Sequence, residues 1–92
     1  MAQAARNVRV IGQVQGVFFR VWAQGQAREL GVNGWIRNCP DGSVEAFLTG
    51  DEDCVSRMID RMRRGPANAR VDDVEVEHAE PVERSGRFEV RR

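Results

Sequence analysis

The chain of 92 residues contains no lysine and no tyrosine, one histidine and two cysteines. Each scarcity removes a chemistry. Without lysine there can be no Schiff base and no GxxxxGK[ST] nucleotide loop, whose lysine reaches the terminal phosphates. The lone histidine, His78, lies in a strand-like segment among glutamates, where an imidazole is ordinarily an edge or surface group. Cys39 and Cys54 form no CxxC pair and have no histidine cluster beside them, so no metal site is expected. No apolar run is long enough to span a bilayer, and no signal-peptide pattern opens the chain. These absences lead us to expect a cytoplasmic protein with free thiols and no membrane partner. All fourteen basic residues are arginine, and fourteen acids bring the formal net charge to zero. No global field therefore draws the chain to nucleic acid or anionic lipid.

What is present reads as one domain over residues 1–92, with residues 1–5 as a loose tail. A chain of this length buries roughly 60–65% of its unfolded surface, enough for one modest core. Alternation of apolar residues predicts a strand from Asn7 to Val14. Helical spacing of Ala23, Ala27 and Leu30 predicts a helix from Arg20 to Leu30, stopped by Gly31. Gly25 inside it implies close packing against a strand, because glycine costs about 1 kcal/mol there relative to alanine. Trp35 to Asn38 and Ser43 to Thr49 flank the turn Cys39-Pro40-Asp41-Gly42 and form a hairpin. A second helix spans Asp51 to Arg64, with Cys54, Val55, Met58, Ile59 and Met62 on one face. Acids occupy its start and arginines its end, matching the helix dipole. Val71 to His78 is a strand with Val74 and Val76 inward. Pro81 to Gly86 is a connection, and Arg87 to Arg91 is a final short strand. The order is βαββαβ with an extra C-terminal strand. That is the α+β, split β-α-β arrangement called ferredoxin-like, an antiparallel sheet with two helices on one face.

The segment most suggestive of chemistry is Gly12-Gln13-Val14-Gln15-Gly16-Val17-Phe18-Phe19-Arg20. A strand runs into glycines and then into a helix. Such a turn can curl several backbone N–H groups into one concavity at a helix N-terminus, which is an anion site. Arg20 adds a permanently charged planar fork suited to phosphate oxygens. Asn38, at the end of the second strand, can face the same cleft in this topology.

Two blocks resemble the acylphosphatase family. Gly12-x-Val14-Gln15-Gly16-Val17-x-Phe19-Arg20 resembles its first signature. Gly34-Trp35-Ile36-Arg37-Asn38-x-x-x-Gly42-x-Val44-x-x-x-x-x-Gly50 resembles its second. Ala69-Arg70-Val71-Asp72 and Arg87-Phe88-Glu89-Val90 also look like the family, so the resemblance covers nearly the whole chain. Ile36, Ala23 and the closing Arg91-Arg92 depart from its usual residues. The resemblance implies a hydrolase of acyl phosphates, metal-independent, without cofactor and monomeric. It makes Arg20 the phosphate-binding arginine and Asn38 the residue that orients the attacking water. The backbone amides of Gln15, Gly16, Val17, Phe18, Phe19 and Arg20 complete the phosphate cradle. Inorganic phosphate is then both product and competitive ligand. Two other readings stand beside this one. A ferredoxin-like sheet can grip RNA, although that mode needs exposed strand aromatics and a basic surface. A carrier-like module could bind carbamoyl or acyl phosphate without turnover, as in similar domains of hydrogenase-maturation carbamoyltransferases.

Overall fold

The computed structural model describes residues 2–81 and 86–91. Its elements are β1 (Gln3–Gln13), α1 (Phe19–Leu30), β2 (Asn33–Asn38), β3 (Val44–Asp51), α2 (Glu52–Arg64), β4 (Arg70–His78) and β5 (Phe88–Val90). The sheet order is β4-β1-β3-β2-β5. β1 pairs antiparallel with β3 and β4, β2 antiparallel with β3, and β5 parallel with β2. This is the ferredoxin-like α+β arrangement, with one parallel strand added at the β2 edge. Residues 82–85, part of the anticipated connection, lie outside the described residues.

Period-two patterning divides the sheet into two faces. Val8, Ala46 and Ile36 share one register line, and Val10 and Val44 the next. All five are buried beneath the helices. α1 buries Phe19, Ala23 and Ala27, one residue per turn, and its small alanines let the helix lie close to the strands. α2 buries Val55, Met58 and Met62. Arg61 Nη1 ties the helices together by donating to Gln26 Oε1 at 2.8 Å and Glu29 Oε1 at 2.9 Å. On the opposite face Trp35 stacks on Phe47, with centroids 6.5 Å apart. Among the described residues no helix is long and apolar enough to cross a membrane.

Three sequence expectations change. The loose tail at residues 1–5 is wrong for residues 3–5, which open β1 and pair Gln3 with Asp51, Ala4 with Gly50 and Ala5 with Thr49. Ala4 and Ala5 are buried, so β3 and the core side recruit two residues of low strand propensity. Met1 lies outside the described residues. Gly25 is not a close-packing site, since a Cβ there would meet nothing within 4 Å. Val76 faces the helix side but sits on the edge strand β4 and stays 37% exposed.

Gly12 shapes the approach to the site. The β1–β4 register slips between Ile11 and Gly12, forming a bulge. Gly12 has φ 142°, and a Cβ there would stand 2.1 Å from the Arg70 carbonyl oxygen. Only glycine fits, and the bulge re-aims the end of β1 into the loop that follows.

Candidate active site

The loop between Gln13 and Phe19 alternates in handedness. Gly16 has φ 76°, and Phe18 has φ 59° and ψ 27°. Phe18 is the one described non-glycine residue with positive φ, so Val17 between them is of ordinary hand. Alternation of this kind turns successive N–H groups toward a shared concavity. The loop ends at the N-terminus of α1, whose first N–H groups have no intrahelical partner. Neither a side-chain cap nor an acidic residue in the first turn offsets the positive end of α1. Arg20, in that first turn, adds a full positive charge.

Arg20 is half-buried, and its Nη1 donates to the Arg91 carbonyl oxygen at 2.5 Å. No described carboxylate pairs with it. Arg91 is itself fixed. Its N–H donates to the Ile36 carbonyl at 2.8 Å, its guanidinium lies 4.9 Å above the Trp35 ring, and it reaches Glu89 at 3.5 Å. Arg91 therefore packs on an aromatic of the open face while its carbonyl holds Arg20 on the other side.

Asn38 ends β2 in register with Val44, on the helix side of the sheet. Its Oδ1 is buried and has no hydrogen-bond partner among the described residues. A buried amide oxygen without a partner is costly, about 1–3 kcal/mol, and calls for a reason. The turn after Asn38 is braced on every side. Cys39 N–H donates to the Ser43 carbonyl at 2.8 Å. Asp41 Oδ1 accepts from the Ser43 N–H at 2.9 Å and from its hydroxyl at 2.6 Å. The Ser43 hydroxyl and N–H hold the Asp41 carboxyl below the usual carboxylate range. Arg9 also reaches Asp41, at 3.0 Å.

A cleft of about 260 Å³ brings these parts together, lined by Val14, Gly16, Phe18, Phe19, Arg20, Val21 and Asn38. Of the site residues read from sequence, Gly16, Phe18, Phe19, Arg20 and Asn38 meet there. The side chains of Gln15 and Val17 do not. Val17 packs against the core. The Gln15 Nε2 donates to the carbonyls of Cys39 and Ser43, each at 2.8 Å, and so stitches the loop to the hairpin that carries Asn38. That side-chain role and the Arg91 contact escaped the sequence reading. The one signal for Gln15 was a polar residue continuing the β1 alternation beside Gly16. Cys39 is buried next to Asn38 and is a free thiol, as is Cys54.

The sequence pattern that defines acylphosphatases matches residues 6–90. The chain belongs to the acylphosphatase family. It is 53% identical over 76 residues to an acylphosphatase of Rhizobium etli, covering 83% of this chain and 81% of that one. With an acylphosphatase of Anaeromyxobacter dehalogenans it shares 47% identity over 92 residues, 99% of both chains. The solved structure of a Coxiella burnetii acylphosphatase superposes with a TM-score of 0.91 at 35% identity, covering 97% of this chain and 93% of the other. The extent of family membership matches the extent of the fold, from within β1 to the end of β5.

Proposed function

We propose that the protein hydrolyses the carboxyl-phosphate bond of acyl phosphates, yielding a carboxylate and inorganic phosphate. The observation that carries this reading is the convergence of Arg20, the uncapped start of α1 and the unpartnered Asn38 Oδ1 on one cleft. The phosphoryl oxygens sit against the N–H groups of the loop from Gln15 to Arg20, with the Arg20 guanidinium beside them. Asn38 Oδ1 accepts a hydrogen bond from water and aligns it opposite the acyl oxygen. Water oxygen attacks phosphorus, the bond from phosphorus to the acyl oxygen breaks, and the carboxylate leaves with the electron pair. Both water protons end on the product phosphate.

This sparse equipment suits the reaction. The leaving group is a carboxylate of pKa near ~4–5 and departs unprotonated, so no general acid is required. The loose transition state of phosphoryl transfer asks mainly for positioning and charge stabilisation. Asn38 cannot deprotonate water, and with so good a leaving group it has no need to. A phosphate ester, whose alkoxide leaves poorly, would demand an acid or a metal, and acyl phosphates do not.

The test is hydrolysis of benzoyl phosphate by the purified protein in the presence of EDTA. Rapid turnover unaffected by the chelator is expected. Phosphate binding without acceleration of hydrolysis would overturn the enzyme reading in favour of a carrier-like module.

A further inference from the structure

Two side chains at the mouth of the cleft take no part in the chemistry above. Phe18 is 79% exposed and Val21 59% exposed, and both line the cleft. The cleft's other large apolar residues, Val14 and Phe19, are buried in the core. A single exposed apolar residue is ordinary, but two side by side on a ligand cleft mark a contact surface. Phe18 is also a poor choice for its own backbone. The left-handed conformation there favours glycine or asparagine, and a phenylalanine holds it at a cost. The cradle needs the positive φ and not the ring, and the ring, facing solvent, adds nothing to the core.

We infer that Phe18 and Val21 form the contact surface for the acyl half of the substrate, so that acyl phosphates with an apolar chain or ring are preferred over small ones. The inference rests on the acyl-phosphate reading of the same cleft. With the phosphoryl group on the loop amides and Arg20, the acyl group must leave over the first turn of α1. Beyond Arg20, Asn38 and the Gly16 backbone, the lining it meets there is hydrocarbon. The one charged side chain of the lining, Arg20, is committed to phosphate.

A straight-chain series of acetyl, butyryl and hexanoyl phosphate tests this directly. The leaving carboxylates differ little in basicity, so a trend in kcat/KM reports contact with the chain. We expect kcat/KM to rise by about two- to fourfold per methylene until the surface is covered. Phe18→Asn, which tolerates positive φ, and separately Val21→Ser should flatten that slope, with thermal melts confirming that each variant is folded. A flat series in the wild type, with all three substrates turned over, would overturn the inference and leave the enzyme reading intact. A rising series that both folded variants preserve would also overturn it. No turnover of any member would remove the reading on which it rests. The wild-type series decides even where a variant fails to fold.

Discussion

At the start of α2, Asp51 caps the helix by accepting from the Asp53 N–H at 3.0 Å, and Glu52 and Asp53 fill the first turn. At the start of α1 there is a phenylalanine of left-handed φ, no side-chain cap, no acid and an added arginine. The same two-helix layer thus contains one N-terminus completed from within the chain and one left incomplete. Capping and dipole matching typically contribute about 1 kcal/mol each, so α1 forgoes stability that its neighbour takes. The difference teaches where a ligand belongs: an anion at α1 would supply what Asp51, Glu52 and Asp53 supply at α2.

Breaking the α1 side should have the largest consequences. Arg20→Ala should lower kcat/KM for benzoyl phosphate by about 10³ or more, the scale of a charged anchor in phosphoryl transfer, as steady-state kinetics would read. Asn38→Ala should lower kcat by about 10²–10³ while inhibition by inorganic phosphate persists, because the proposed mechanism gives water and phosphate to different groups. Gln15→Ala should cost about tenfold in kcat/KM and about 1–2 kcal/mol in urea unfolding, since the Cys39 and Ser43 carbonyls each keep a backbone donor but lose the side-chain one, and the loop loses its tie to the hairpin. Asp51→Ala should cost about 1 kcal/mol of stability with kinetics unchanged. Phe18→Gly should move the other way, adding about 1 kcal/mol by relieving the left-handed strain. Opposite signs of the last two, in paired denaturant melts, would sharpen the contrast between the two helix starts.

Much of this contrast was legible before the fold. Acids at residues 51–53 and arginines at residues 61, 63 and 64 gave α2 its polarity, and the glycines before Arg20 marked the loop. Period-two and helical spacing placed all seven elements, with boundaries shifted by one or two residues except at the start of β1, which begins four residues earlier, at Gln3. What escaped lies in contacts between distant segments. Ala4 and Ala5 carry little local strand signal, and they become strand because β3 offers a partner. Gly25 has no tight neighbour, and the structure offers no packing reason for it. The Arg91 contacts are of the same kind: only the parallel pairing of β5 with β2 brings Arg91 to Trp35 and its carbonyl to Arg20. Gln15 read as a source of one amide, whereas its side chain braces the site.

The most direct test is a titration of the ¹⁵N-labelled protein with inorganic phosphate, followed by amide chemical shifts. The account predicts saturable shifts concentrated on Gln15 to Arg20 and the side-chain amide of Asn38, with Glu52 to Val55 unmoved. Shifts at the start of α2, or none at the start of α1, would contradict it.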